Sequence, residues 1–182
     1  MYDVYWAAPM FSAADREYND KYVQVLRDAG IRVYNPMRDA VYIGTNPSDE
    51  EIFQKDVAAV KDCRVFVANI DQESIDSGVA SQIGIASLIG KPIVGVFTDS
   101  RRDRPRNNIY KNPHVMGAIK SAGELIYTMD DLARAAMTLM DSGRQLELQN
   151  LLARFGCEAL PALPKSQYGA FATALRGMGA QI

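Results

Sequence analysis

The feature that most restricts what this chain can fold into is a recurring alternation, in which short apolar runs are each followed by a segment with helix-start signals and helical length. The first run, Val4 to Ala8, ends at Pro9, and Ser12 with Asp15 three residues on opens a helix that continues to Asp28 and stops at Gly30. Ile31 to Tyr34 reads as a second strand, cut by Asn35 and Pro36. After a loop rich in turn residues, Ser48 with Glu51 starts a helix that runs to about Asp62. A third strand, Arg64 to Ala68, follows directly. Beyond the polar stretch Asn69 to Ser77, Gly78 to Ile89 reads as a small-residue helix ended by Gly90, and Pro92 to Phe97 as a fourth strand. Leu125 to Tyr127 and a helix from Thr128 to about Met140 continue the pattern. Strands separated by crossovers of this length pair in parallel. The expected architecture is α/β and doubly wound, a five-stranded parallel sheet with helices on both faces. In such sheets ligands sit beyond the carboxyl ends of the strands, which selects the loops after Ala8, Tyr34, Ala68 and Phe97.

A length of 182 residues with 48% hydrophobic content suits one main compact domain. The pattern changes after about Asp141. Gln145 to Phe155 reads as an amphipathic helix, Pro161 and Pro164 break the chain, and Ser166 to Met178 reads as another helix. The expected division is therefore 1–140 and a helical C-terminal appendage, 141–182, which either packs on the core or a sister subunit or docks another protein. Twenty basic against 22 acidic residues, a net charge of -2, leave no broad electrostatic footprint for nucleic acid or an anionic membrane. The expected partner is a small molecule or a protein. Cys63, Cys157 and His114 lack zinc-site spacing. No apolar run reaches the roughly 20 residues a bilayer demands, and acidic Asp3 stands where an export signal would be basic. A cytoplasmic location is expected.

The segment Asp76 to Ala86 lies where a loop meets a helix N-terminus at the predicted carboxyl edge. Its small residues let a ligand approach the backbone closely, although Gly78, Ala80, Gly84 and Ala86 would equally serve helix-on-sheet packing. Other segments add to it. Tyr5, Ala7, Pro9 and Phe11 form a Tyr-x-Ala-x-Pro-x-Phe loop; Asp56 and Asp62 bracket the approach to the third strand. Asp76, Gly78, Val79, Gln82, Ile83, Gly84 and Ala86 fall in an Asp-x-Gly-Val-x-x-Gln-Ile-Gly-x-Ala pattern. Gly90, Lys91, Pro92 and Ile93 lead to Asp99 and Arg101, and Asn112 precedes Gly117, Ala118 and Ile119. In this order, over roughly residues 2 to 140, these motifs resemble the nucleoside 2-deoxyribosyltransferase family, whose sheet is flavodoxin-like. One position departs from the family pattern: Gln82 stands where the motif has its catalytic glutamate.

The resemblance implies transfer of 2-deoxyribose between nucleobases through a covalent glycosyl-enzyme intermediate, with no cofactor and no metal. The glutamate's carboxylate captures an oxocarbenium-like anomeric carbon, as in retaining glycoside hydrolysis. Gln82 is isosteric but neutral, so it keeps a hydrogen-bond acceptor for a sugar hydroxyl while the chemical step is largely lost, whether the residue is engineered or natural. By the same resemblance Asp56 is the acid facing the departing base, with a solvated helix carboxylate as its plain alternative. Asp76 is the acid that holds sugar hydroxyls, or else a helix cap. Tyr5 and Phe11 wall the base, although Tyr5 equally suits the core, and Ala8 and Gly78 border the substrate. Asn112 reaches a neighbour's active site in the family, which implies a homo-oligomer, against a simple turn before Pro113. The implied ligands are deoxynucleosides and free nucleobases.

Related hydrolases of 2-deoxynucleoside 5-monophosphates carry serines where this chain has Asp76 and Asn112, and an acid would repel a phosphate there. Free nucleosides are favoured. The hydrolase (N-glycosidase) reading stays as an alternative, and so does a non-catalytic nucleoside-binding or interaction protein in which Gln82 is native. The basic cluster Arg101, Arg102, Arg104 and Arg106 is interleaved with Asp99 and Asp103, so it reads as a solvated loop or as subunit salt bridges rather than a phosphate site. The stretch expected to choose the base is Pro36 to Pro47, with Asn107 and Asn108 as fallbacks for Asn112.

Overall fold

The computed structural model describes residues 2–39, 46–103, 111–157 and 162–177. In chain order they form β1 (Val4–Ala7), α1 (Ala13–Asp28), β2 (Val33–Tyr34), α2 (Pro36–Asp39), α3 (Asp49–Asp62), β3 (Val65–Asn69), α4 (Ser77–Leu88), β4 (Ile93–Val96), α5 (Pro113–Ala122), β5 (Gly123–Ile126), α6 (Asp130–Arg154) and α7 (Tyr168–Gly177). Five strands pair in parallel in the order β2-β1-β3-β4-β5. This is the flavodoxin-like, doubly wound arrangement expected from the alternation, with its switch point between β1 and β3.

Side chains alternate across the pleat, and helices cover both faces of the sheet. Val4, Trp6, Val65 and Val67 pack against Tyr22, Val23 and Leu26 of α1 and Leu132, Ala135 and Ala136 of α6. Tyr5, Ala7, Phe66 and Ala68 turn the other way, toward Val60 of α3, Val79, Ile83 and Ala86 of α4, and Ile119 of α5. Each fully buried Val, Leu or Ile contributes about 1.5–3 kcal/mol, which outweighs the weak intrinsic preferences of such short strands. Both anticipated capping boxes form, Ser12 with Asp15 on α1 and Ser48 with Glu51 on α3. The helix ends at Gly30 and Gly90 are made by glycines in the left-handed region, at φ 78° and 71°.

Three elements differ from expectation. The single turn α2 occupies the start of what reads as a loop, with Asn35 Oδ1 accepting from the Met37 amide. Helix α5 was not anticipated, although Asn112 caps it and Pro113 fills its first position, a recognised start signal. It runs into β5 with no loop between, because a Cβ on Gly123 would lie 1.9 Å from the Ile93 carbonyl oxygen and only glycine fits there. Helix α6 does not stop near Met140. It continues to Arg154, because the lone Gly143 costs only about 1 kcal/mol relative to alanine and does not end a helix.

The chain divides into two compact units, Met1–Met140 and Asp141–Ile182. In the second, Leu151, Leu152, Cys157, Leu163 and Phe171 bury one another, and the Phe155 and Phe171 rings meet edge to face at 5.3 Å. No helix among the described residues is long and apolar enough to cross a membrane.

At the carboxyl edge of the first unit Asp71 ties three elements together. Its Oδ1 accepts from the Thr98 and Asp99 amides, and its Oδ2 accepts from Thr98 Oγ1 at 2.7 Å and from Tyr18 Oη of α1 at 2.9 Å. Asp71→Ala leaves the Thr98 and Asp99 amides without this acceptor, and hydrogen bonds to a charged group are each worth roughly 1.5–3 kcal/mol. The variant is expected to lose about 2–3 kcal/mol, read as a lower urea midpoint with an unchanged m-value.

Candidate active site

The site is built from facing sides of two helices. On α3, residues spaced three and four apart, Asp49, Ile52, Phe53, Asp56, Val57 and Val60, share one face; on α4, Gly78, Ser81, Gln82 and Ile85 do the same. Between them lies a cleft of about 270 Å³, near the lower end of the roughly 300–1,000 Å³ that small-ligand sites occupy. The Ser48 capping box sets where α3 begins and therefore which of its residues turn inward. Asp76 caps helix α4, its Oδ1 accepting from the Val79 amide at 3.0 Å. Gly78 leaves room for that carboxylate, since a Cβ there would come within 3.1 Å of Asp76 Oδ1.

The centre of the cleft wall is a hydrogen-bonded trio. Gln82 Nε2 donates to Tyr5 Oη at 3.0 Å and to Asp56 Oδ2 at 3.0 Å. Both amide hydrogens are thereby committed, which leaves the amide oxygen as the acceptor this side chain still offers. Tyr5 is fully buried, its ring stacked between Tyr34 and Phe66 with centroids 5.4 Å away on each side. Burial, with the nearby Asp56 charge adding to it, pushes the Tyr5 hydroxyl far above the ordinary phenol range, so it stays protonated. Asp56 is raised above the usual carboxyl value of 3.8 by burial, against the opposing hydrogen bonds from Tyr5 and Gln82. Its Oδ1 is buried and has no hydrogen-bond partner. A carboxyl held this way can lend or take a proton at a bound ligand.

The trio joins three of the residues singled out from sequence, Tyr5, Asp56 and Gln82, and Gly78 lines the same cleft. The other four do not line it. Ala8 is buried beyond the end of β1, and Phe11 is 77% exposed. Asp76 acts as the helix cap described above. Asn112 is exposed and caps α5, its Oδ1 accepting from the His114 amide. Asp49, Ile52, Phe53, Val57, Ser81 and Ile85 were missed by sequence reasoning, although their helical spacing from Asp56 and Gln82 was available as a signal. Asp99 pairs with Arg101 at 2.7 Å, in keeping with a loop salt bridge. Asn107, Asn108, Arg104, Arg106 and the middle of the Pro36 to Pro47 stretch lie outside the described residues.

The profile of the family Nucleoside 2-deoxyribosyltransferase matches residues 4–149. The chain belongs to this family. Among solved structures it is similar to a conserved protein from Enterococcus faecalis V583, at 30% identity and TM-score 0.69, over 76% of this chain and 98% of that one. It is also similar to the 2-deoxyribosyltransferase of Bacillus psychrosaccharolyticus, at 20% identity and TM-score 0.58, over 71% and 89% of the two chains. A 2-desoxiribosyltransferase from Leishmania mexicana gives 13% identity and TM-score 0.53 over 76% and 96%. At these lower identities the likeness is one of fold. No curated protein sequence matches the chain.

The raised Asp56 carboxyl has a consequence for stability. The folded state holds this proton more tightly than the unfolded chain, so stability is fully present below the ordinary value of 3.8 and declines as pH rises through the folded value. Asp56→Asn removes the penalty of a buried charge. It is expected to melt above the parent at pH 7, with the difference shrinking as pH falls toward 4, in thermal melts recorded across that range.

Proposed function

We propose that the cleft binds 2′-deoxynucleosides, with the sugar against Gln82 and Gly78, and that residue 82 occupies the position from which the family's carboxylate attacks the anomeric carbon. Under this reading the chain keeps the binding half of a deoxyribosyltransferase and loses most of the chemical half. The observation that carries it is the amide of Gln82 on the cleft wall, 3.0 Å from both Asp56 and Tyr5. A neutral amide can hold a sugar hydroxyl through its oxygen, but it offers no anion to form a glycosyl ester. A glutamate in its place would stand about 3.0 Å from Asp56, close enough for the two carboxyls to share a proton, as coupled pairs do. That proton would then be available to the departing base. Asn112, exposed at the start of α5, is the residue by which a second copy would reach this site.

Gln82→Glu is expected to raise base exchange between 2′-deoxyadenosine and free cytosine by at least about a hundredfold, the low end of what a restored acid–base or nucleophilic group supplies. Loss of the transferase reading would follow if the variant, properly folded, exchanged no common pair of nucleoside and base.

Free nucleosides rather than 5′-monophosphates suit the cleft, because the Asp56 carboxyl lines it beside Gln82, at the sugar end of this pose. A carboxylate there repels a phosphate carried on the same sugar. Calorimetry with the parent chain is expected to give tighter binding for 2′-deoxyadenosine than for its 5′-monophosphate; the reverse order would favour a nucleotide hydrolase.

A further inference from the structure

We infer that the nucleobase rests on an apolar shelf formed by Ile52 and Phe53 of α3, with the Asp49 carboxylate at its outer rim accepting an N–H from the base edge. This rests on the proposed reading of the cleft as a deoxynucleoside site and names the residues that would choose its base. The two aromatic residues expected to wall the base cannot share that task here. Both faces of Tyr5 are already covered by Tyr34 and Phe66, and Phe11 lies outside the cleft lining. Phe53, by contrast, lines the cleft and is 57% exposed, and Ile52 beside it is 36% exposed.

The helical register orders these groups along the cleft. Asp56 sits next to Gln82, at the sugar end of the proposed pose. One turn toward the start of α3 come Ile52 and Phe53, and a further turn brings Asp49, about 10 Å from Asp56 along the helix axis at 1.5 Å per residue. Val57, Val60 and Ile85 complete the apolar part of the lining. A planar ring attached to a sugar at Gln82 therefore meets hydrophobic surface first and a carboxylate beyond it. Aromatic faces favour offset stacking with a ring of this kind. An ionised aspartate only accepts hydrogen bonds, so the rim favours a base that presents an amino or imino hydrogen and disfavours one that presents only lone pairs.

The test is calorimetric, on the full chain, with 2′-deoxyadenosine and purine 2′-deoxyriboside, which lacks the exocyclic amino group. The parent is expected to bind 2′-deoxyadenosine several-fold more tightly. Phe53→Ala is expected to weaken both ligands alike, by about fivefold to tenfold, while Phe53→Trp retains binding. Asp49→Ala is expected to weaken 2′-deoxyadenosine alone and to erase the preference. Phe53 and Asp49 are exposed, so melting curves of the variants should overlay the parent and separate lost contact from lost fold. Parental affinity in folded Phe53→Ala, or equal affinity of the parent for the two nucleosides, overturns the shelf while leaving the nucleoside reading intact. Failure of the parent to bind either nucleoside overturns both together.

Discussion

Strands β1 and β3 lie between two layers of helices, where a polar group without a partner is costly. Tyr5 avoids this cost in the way that gives the molecule its site. Its ring is enclosed by Tyr34 and Phe66 inside the sheet layer, and its hydroxyl emerges where α3 and α4 face each other, to be met by the Gln82 amide. The ring is held by stacking on both faces, so its hydroxyl gives Gln82 a rigid reference point. Asp56, bonded to the other amide hydrogen, is then oriented in turn. The order of dependence runs from sheet to tyrosine to glutamine to aspartate, and only the last two border open space.

This arrangement explains how a neutral amide sits between a tyrosine and an aspartate on the cleft wall. Two carboxyls at this separation would compete for one proton, whereas glutamine supplies two donors to two acceptors and satisfies the cluster without any charge of its own. The one buried polar atom of the trio without a partner is Asp56 Oδ1, and unmatched groups of this kind are costly unless a ligand or water completes them.

Much of the fold was legible because its punctuation is local. Ser12 with Asp15, Ser48 with Glu51, and the glycines at 30 and 90 mark helix boundaries through hydrogen bonds or backbone angles that involve only neighbouring residues. The misreadings arose where a local signal was overridden or passed over. The change of pattern after about Asp141 reads as a boundary, yet α6 continues through it; Asn112 before Pro113 can be read as a turn but starts a helix. Three separate motifs each hold one member of the trio, Tyr5, Asp56 and Gln82. Gln82 and Asp56 are 26 residues apart and converge through their hydrogen bond. Phe53 and Asp49 join the cleft through their helical spacing from Asp56, a signal that points to them only once Asp56 is known to face the cleft. Asp76 is an instance of two roles that sequence cannot separate, since a helix cap and a ligand-holding acid call for the same residue.

The join at Gly123 carries a mechanical implication. With no linker between α5 and β5, and with the glycine's backbone pressed against the Ile93 carbonyl, the last helix of this face and the edge strand have no slack between them. A ligand or a second subunit that pulled on the Asn112 end of α5 would load the sheet directly, so this end of the molecule behaves as a strut rather than a hinge.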